Sequence, residues 1–187
     1  MTNRDKKIRE LTASEPLSLE EEFENQTSWR ASGDKLTFVL CLPLQPGEGV
    51  VNGGVDDVED RMLGDVNLFL YPDPESESES EGRLYAEVDV MLAEKAERRN
   101  GRASAAVKAL LAFLMRNLGA ILAEYAAYTG QGEVELDRLV AKIKDTNEAS
   151  RLLFGGLGFK QRGGVNYFGE VELAMGLEGV LPWEGED

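Results

Sequence analysis

The stretch Leu84-Tyr-Ala-Glu-Val-Asp-Val-Met-Leu-Ala93, followed by Arg98-Arg-Asn-Gly-Arg-Ala103 and a long apolar segment, decides the fold of this chain. Apolar and polar side chains alternate from residue 84 to 93, which predicts a strand with one buried face. Residues 102–126 repeat apolar side chains at helical spacing, and a glycine stands just before them. A strand that enters a helix through such a turn presents free backbone N–H groups to a ligand.

The segment from Arg98 to Ala123 contains no acidic residue, although the chain of 187 residues has a formal net charge of −15. Arginines flank Gly101, and Lys108 and Arg116 follow in the helix. Backbone N–H groups beside positive side chains are typical of a polyphosphate site. The alternative for this segment alone is a basic helix start with solvated arginines. The rest of the sequence has to decide between these two interpretations.

The composition indicates a single globular domain, since 42% of the residues are hydrophobic and the length suits one domain. The one cysteine, Cys41, lies in an apolar run and cannot form an internal disulfide. The N-terminus is polar rather than a signal peptide, and the longest apolar run is too interrupted to span a bilayer. We therefore expect an intracellular protein, in the cytoplasm or the nucleus, without a membrane partner.

Histidine is absent from the sequence, which excludes hydrolases of the Ser-His-Asp and Cys-His types. With one cysteine as well, a zinc site is not expected, and we predict no metal. The acidic balance argues against nucleic-acid binding, which needs clustered cations to neutralise phosphates. Acid–base chemistry would therefore have to use carboxylates, tyrosines, lysines or water.

The pattern along the chain predicts the order helix, three strands, helix, strand, helix, two strands. Helices are predicted over 10–30, 102–126 and 147–154, and strands over 35–42, 62–71, 84–93, 136–144, from 159 onward and over 165–175. The segments 43–60 and 72–82 are predicted loops, the second rich in Glu and Ser, and 177–187 is predicted to be a frayed tail.

This order predicts one domain over 1–187, of the α/β class and the α+β type. Its sheet is mostly antiparallel, with one strand–helix–strand crossover. The basic loop follows the first strand of that crossover, where proteins of this class usually bind ligands.

The basic loop resembles the pyrophosphate loop of the GNAT superfamily, the acetyl-coenzyme A-dependent N-acetyltransferases. The family pattern Arg/Gln-x-x-Gly-x-Gly/Ala reads Arg98-x-x-Gly101-x-Ala103 here. A second family block, Asn-x-x-Ala-x-x-Leu-Tyr-x-x-x-Gly-Phe, reads Asn147, Ser150, Leu153, Phe154, Gly158 and Phe159. The segments 11–23, 28–29, 34–38 and 63–70 resemble the N-acetyltransferase 9 branch. The resemblance runs from about Ile8 to Met175, interrupted by 43–60, 72–82 and 120–135.

The resemblance implies the GNAT fold, a twisted sheet with a central splayed pair of parallel strands flanked by helices. It implies acetyl-CoA as cosubstrate and an amine of a protein or peptide as acceptor, attacked directly in a ternary complex. The pantetheine arm is expected along the strand 84–93, the pyrophosphate at the helix start, and an amide near Met91 or Leu92 as oxyanion donor. The predicted cofactor-binding residues are Met91, Leu92, Ala93, Arg98, Arg99, Gly101, Arg102, Ala103, Ser104 and Asn147.

Glu87 and Asp89 are the candidate catalytic residues, because they are two apart and share one face of the predicted strand. An amine that attacks a thioester must lose a proton. We predict that Glu87 removes it, through water, and that Asp89 is its electrostatic partner or an alternate base. The alternative is an exposed strand face that carries two solvated acids.

Two departures from the family pattern bear on function. The tyrosine that often protonates the leaving thiolate is replaced by Phe154, although a thiol pKa of about 8.5 lets a thiolate leave with little help. The first, edge strand of the family sheet is not recognisable, which would leave the strand 35–42 with a free edge. Both favour the alternative function, a non-catalytic acyl-CoA-binding or protein-interaction module. The sequence indicates neither the acceptor amine nor the oligomeric state.

Overall fold

A computed structural model describes residues 17–44, 47, 49–75 and 82–180. The helices are α1 (Leu19–Ala31), α2 (Arg102–Thr129) and α3 (Glu148–Gly156). The strands are β1 (Lys35–Cys41), β2 (Met62–Pro72), β3 (Arg83–Leu92), β4 (Glu135–Lys144), β5 (Lys160–Arg162) and β6 (Glu170–Gly176). Within these residues the strands form one sheet in the order β1-β2-β3-β4-β6-β5. β3 and β4 are parallel and the other neighbours antiparallel, so the predicted fold class is confirmed.

One face of the sheet carries the hydrophobic core. The even-numbered residues of β3, including Leu84, Ala86 and Val88, are buried on this face. α2 packs its own buried stripe, which includes Val107 and Leu114, against it. Each fully buried side chain of this size contributes about 1.5–3 kcal/mol. This packing fixes the N-terminus of α2 just beyond the C-terminal end of β3.

β3 and β4 separate toward their C-terminal ends. Their pairing runs from Arg83 opposite Glu135 only as far as Glu87 opposite Val140, whereas both strands continue beyond that point. The outer edges of the two strands stay paired with β2 and β6 over the same length. The result is a gap in the middle of the sheet, with a free strand edge on which an extended ligand can form backbone hydrogen bonds.

The opposite face of the sheet is polar and is crossed by ion pairs. Lys142 Nζ lies 2.8 Å from Glu87 Oε2, and Lys144 Nζ lies 3.2 Å from Glu170 Oε1. The first pair crosses the gap from β3 to β4, and the second joins β4 to β6. The gap therefore opens on one side toward the helices and on the other side toward this charged face.

The boundaries of three elements differ from the sequence-based expectations. α1 begins at Leu19 because Ser18 forms a capping box with Glu21, Ser18 N donating to the glutamate carboxylate at 2.7 Å. α2 continues to Thr129. β6 begins at Glu170 rather than at residue 165, because Asn166 Oδ1 accepts from two backbone N–H groups, those of residues 168 and 170, and holds a turn. The N-terminal segment 1–16, most of the predicted loop 72–82 and the end of the predicted tail lie outside the described residues.

α2 is long and apolar enough, by length and composition alone, to cross a membrane. The expectation that no segment meets this test was therefore wrong. The packing of α2 explains its composition, because Val107 and Leu114 are completely buried against the sheet. A helix that covers the central strands of a sheet needs a broad apolar stripe.

Candidate active site

A cavity of about 720 Å³ occupies the gap between β3 and β4. Its walls are the two strands, the loop before α2 and the first turns of α3. The predicted site residues that line it are Glu87, Asp89, Met91, Leu92, Arg98, Arg99 and Asn147. The first turn of α2, formed by residues 102–104 after Gly101, follows directly on this loop. The structure thus brings residues far apart in the sequence to one place.

α2 begins with backbone donors that have no intrahelical partner. Its N-cap is Gly101, with φ 78° and ψ −6°, which has no side chain to accept a hydrogen bond, and its first turn contains no acidic residue. The helical ladder starts with Ala105 N donating to Gly101 O at 2.9 Å. The N–H groups of Arg102, Ala103 and Ser104 are therefore free to bind a ligand. Together with the helix dipole they form an anion site suited to a diphosphate.

Arg99 is a loop cation with no ion-pair partner in the part of the chain that the structure describes. It has φ 64°, and among the described residues other than glycine no second positive φ occurs. A side chain in this conformation costs about 1–2 kcal/mol, and such strain is typical of functional loops. The side chain of Arg99 is exposed, lines the cavity and forms no ion pair within the described part of the chain. It is thus available to an anion bound at the start of α2.

The other two arginines have partners inside the protein, which revises their predicted role. Arg98 donates to Leu92 O from Nε at 2.9 Å and from Nη2 at 2.7 Å. Arg102 forms a half-buried ion pair with Glu97, so that this acid is neutralised beside the loop. Arg98 therefore fixes the loop to the end of β3, and Arg102 adds little net charge to the anion site.

The free edge of β3 offers backbone groups to the cavity, and they include one of the three residues that the sequence predicted, Leu92, but not Met91 or Ala93. Ala93 donates its N–H to a carbonyl of β2 at 2.8 Å. In an antiparallel ladder, successive residues direct their backbone N–H and C=O groups to opposite sides of the strand. The backbone groups of odd-numbered residues of β3 therefore face β2, and those of Val88, Val90 and Leu92 face the gap. The expectation for Leu92 agrees with this geometry. The backbone groups of Met91 and Ala93 point to β2, and Met91 reaches the cavity through its side chain.

Glu87 is paired with a lysine that the sequence interpretation missed. Lys142 Nζ donates to Glu87 Oε2 at 2.8 Å and to the Tyr85 hydroxyl at 3.4 Å. It also lies 5.3 Å and 5.7 Å from the ring centroids of Tyr85 and Tyr71. Burial lowers the pKa of Lys142, but the Glu87 carboxylate and Tyr85 together outweigh it and raise this pKa well above its ordinary value. Lys142 is thus a permanent cation in the gap. The alternation of lysines at 142 and 144 in the predicted strand was the available signal.

Asp89 belongs to a different environment from Glu87. It stands opposite Asn67 in the β2–β3 ladder, and Asn67 Nδ2 donates to Asp65 Oδ1 at 2.7 Å. Asp89 is exposed at the cavity wall, and the protein around it buries the side chain only in part. This burial raises the pKa of Asp89, the charge of Asp65 raises it further, and the Val90 N–H opposes both. Burial likewise raises the pKa of Asp65. Asp89 therefore holds its proton to a higher pH than an ordinary aspartate.

α3 supplies the remaining wall of the cavity. Asn147 caps this helix, its Oδ1 accepting from Ser150 N at 3.3 Å, and its Nδ2 group has no acceptor among the described residues. Phe154 is 3% exposed and packs edge-on against Phe159 with ring centroids 5.1 Å apart. A buried phenyl ring stands where the family pattern has a tyrosine, so this position offers no proton to a leaving group.

The arrangement separates two kinds of binding surface. Free N–H groups and Arg99 lie at the start of α2, on the helical side of the gap. Glu87, Asp89 and Lys142 lie on the polar face. An anionic ligand held at the helix can extend along the edge of β3 and meet a second molecule that enters from the polar face. Among the described residues no group of three or more Asp, Glu, Cys or His side chains is placed to hold a metal ion.

Three comparisons with known proteins agree with this geometry. The family model described as "Acetyltransferase (GNAT) domain" matches residues 2–160. An N-acetyltransferase 9-like protein of Caenorhabditis elegans is 38% identical over 169 residues, which are 90% of this chain and 71% of the relative. An alpha/beta-tubulin-N-acetyltransferase 9 of Drosophila melanogaster is 36% identical over 166 residues, 89% of this chain and 70% of that protein. Spermidine N-acetyltransferase from Vibrio cholerae, whose structure was solved with CoA and spermine, has a similar fold, with a TM-score of 0.60. The match covers 95% of this chain and 86% of that protein, at 14% sequence identity.

Proposed function

Because the chain belongs to the GNAT acetyltransferase family, we propose that it transfers the acetyl group of acetyl-CoA to an amine of a protein or peptide. The observation that carries this proposal is the uncapped first turn of α2 at the open end of the β3–β4 gap. The name of the Drosophila relative, which refers to alpha- and beta-tubulin, supports a protein acceptor. The similarity to a spermidine acetyltransferase concerns the fold alone.

The residues of this chain fit the parts of acetyl-CoA. The N–H groups of residues 102–104 and the Arg99 guanidinium would hold the pyrophosphate. The backbone groups of Val90 and the N–H of Leu92, whose carbonyl accepts from Arg98, would pair with the pantetheine arm. Asn147 Nδ2 would reach it from α3. When bound, acetyl-CoA supplies an activated acetyl thioester. The free edge of β3 directs that end of the molecule toward the point where β3 and β4 separate, at Glu87.

Acetyl transfer needs one proton removed and one negative charge stabilised. The amine nitrogen attacks the thioester carbonyl, the C–N bond forms, and the C–S bond breaks as the thiolate leaves. Glu87 takes the proton of the amine, through water, and Asp89 contributes to the electrostatics of the acceptor. An N–H group on the free edge of β3 nearer to Glu87, such as that of Val90, would stabilise the oxyanion. Since a thiol pKa is about 8.5, the thiolate can leave without the missing tyrosine.

A non-catalytic acyl-CoA-binding module is the second candidate. Two observations favour it: Glu87 is already paired with Lys142, and Phe154 replaces the expected acid. Calorimetric titration with acetyl-CoA, followed by mass-spectrometric assay of a peptide-amine library, separates the candidates. Binding with turnover supports the enzyme, binding without turnover leaves the module, and no binding removes both.

The matched variant for this test is Glu87→Gln, which keeps the shape of the side chain and removes its basicity. We expect kcat to fall by about a hundredfold or more, because general-base catalysis typically contributes that much. The affinity for acetyl-CoA should stay within a factor of two or so, since Glu87 lies far from the helix start along β3. An unchanged kcat and pH profile would show that Glu87 is not the base.

A further inference from the structure

Three oxygen-bearing side chains form a cluster on the polar face beside the gap. Asp65 and Asn67 lie two residues apart on β2, so both point to this face, and Asn67 stands directly opposite Asp89 on β3. Asn67 Nδ2 donates to Asp65 Oδ1 at 2.7 Å. Asp89 also lines the cavity, so the cluster adjoins the proposed site of acetyl transfer.

The Asn67 side chain in this cluster is incompletely satisfied. It is only 4% exposed, and its Oδ1 atom is buried without a hydrogen-bond partner in the described part of the chain. Native proteins rarely leave a buried amide oxygen unpaired, because it has lost its hydrogen bonds to water. The cluster therefore retains an unused acceptor, which an N–H donor of a ligand can satisfy.

The two carboxylates of the cluster also have no cationic partner among the described side chains, whereas Glu87 and Glu170 on the same face each have a lysine. Burial raises the pKa of Asp65, and burial together with the charge of Asp65 raises that of Asp89. A positively charged group with several N–H donors would relieve the repulsion and satisfy the amide oxygen at once. Guanidinium and ammonium groups have these properties.

We propose that Asp65, Asn67 and Asp89 form a subsite for a second positively charged group of the acceptor, distinct from the amine that is acetylated. The proposal rests on the proposed acetyltransferase function and specifies its substrate class. The reacting amine must reach the gap between β3 and β4, but this cluster lies between β2 and β3. Because strands are about 4.8 Å apart, the subsite is set back from the gap by roughly 5–10 Å. An arginine or lysine side chain near the reacting amine of a peptide spans that distance.

The test uses peptides that differ in one charge. Hexapeptides with a free N-terminus carry a single arginine or lysine at position two, three or four, and their counterparts carry citrulline or acetyl-lysine there. We expect the wild-type protein to favour the cationic peptide over its neutral counterpart by about tenfold in kcat/KM at one of these positions, the value of one charged hydrogen bond. Fragmentation mass spectrometry identifies which amine is acetylated. Comparison of the arginine peptides with the lysine peptides shows whether the subsite prefers a guanidinium or an ammonium group.

Asp65→Asn is the variant that tests the subsite, because it removes one charge with almost no change of shape. We expect the preference for the cationic peptide to fall by about tenfold relative to wild type. Glu133→Gln, which removes one charge from an exposed residue outside the cavity lining, is the control and should keep the preference. Equal losses for cationic and neutral peptides in Asp65→Asn would indicate a structural role and overturn the proposal. Binding of Ca²⁺ or Mg²⁺ alone to wild type but not to Asp65→Asn would also overturn it.

Equilibrium binding of the same peptides to the CoA-bound protein separates this proposal from the proposed function. Charge-dependent binding that Asp65→Asn weakens supports the subsite even where no peptide is acetylated, a result that would refute the enzyme alone. Turnover with no difference between arginine and citrulline peptides refutes the subsite and leaves the enzyme. Asp89→Asn provides an independent second variant for the binding measurement.

Discussion

Gly101 allows the anion site at the start of α2 to be tested with a single charge. A Cβ atom at this position would meet nothing within 4 Å, so a side chain fits without a clash. The positive φ of 78° disfavours most residues, but Asn and Asp tolerate it better than the others. Gly101→Asp and Gly101→Asn have nearly the same shape and the same backbone cost. They differ in one negative charge beside the free N–H groups.

The expected difference follows from the distance between charges. A carboxylate at position 101 would lie about 5–6 Å from a diphosphate held by the first turn of α2. Two unit charges at that separation repel by about 3 kcal/mol at an effective dielectric constant of roughly 20. This energy corresponds to a loss of affinity of about 100-fold. Without the cofactor the same charge interacts favourably with the helix dipole, which stabilises the folded protein by about 0.3–1 kcal/mol.

Calorimetric titration with CoA, together with thermal unfolding of the free protein, measures both effects. We expect Gly101→Asp to bind CoA about 100-fold more weakly than Gly101→Asn and yet to unfold at the same or a higher temperature. The difference in affinity should shrink as salt is added, because ions screen exposed charges. Equal affinities for the two variants would show that the pyrophosphate does not bind at this helix start.

Two further predictions concern the polar face of the sheet. Replacing Lys142 by Met removes the cation that holds the Glu87 carboxylate in place, so we expect a lower kcat. Lys142→Arg keeps the charge and should restore kcat, whereas an unchanged kcat in Lys142→Met would show that the ion pair has no part in catalysis. Because folding raises the pKa of Asp65, the folded protein binds more protons than the unfolded chain, and its ionisation costs stability as pH rises. Asp65→Asn should therefore have a higher free energy of unfolding than wild type at pH 7. Denaturant titrations should show that this difference disappears near about pH 4, where Asp65 is protonated in both states. A difference in stability that grows on acidification would contradict the prediction.

The sequence predicted the strand, basic loop and long helix because each depends on local pattern. Alternation predicted β3, helical spacing predicted α2, and Gly101 marked the turn between them. Local patterns cannot show how far a strand remains paired, and the end of the β3–β4 pairing at Glu87 is what creates the cavity.

Side-chain roles depended on contacts that the sequence order does not reveal. Arg98 and Arg102 looked equivalent to Arg99 in the loop, but only the folded chain shows that they bind backbone carbonyls and Glu97. Lys142 is 55 positions from Glu87, and nothing in either segment links them. Such pairings arise from the register of parallel strands, which a single sequence does not specify.

The distribution of charge across the sheet would allow a chain with a net charge of −15 to bind the proposed anionic cofactor. The acid-free segment 98–123 lies on the helical side of the gap, and its N–H groups attract anions. The carboxylates of Asp65 and Asp89, which have no cationic partner among the described residues, lie on the other face and attract cations. The electrostatic field in the gap therefore favours anions on the helical side and cations on the polar face. An anionic cofactor and a cationic acceptor would each be disfavoured at the other's position. If this separation sets specificity, added salt should raise the KM for a cationic acceptor more than that for a neutral one.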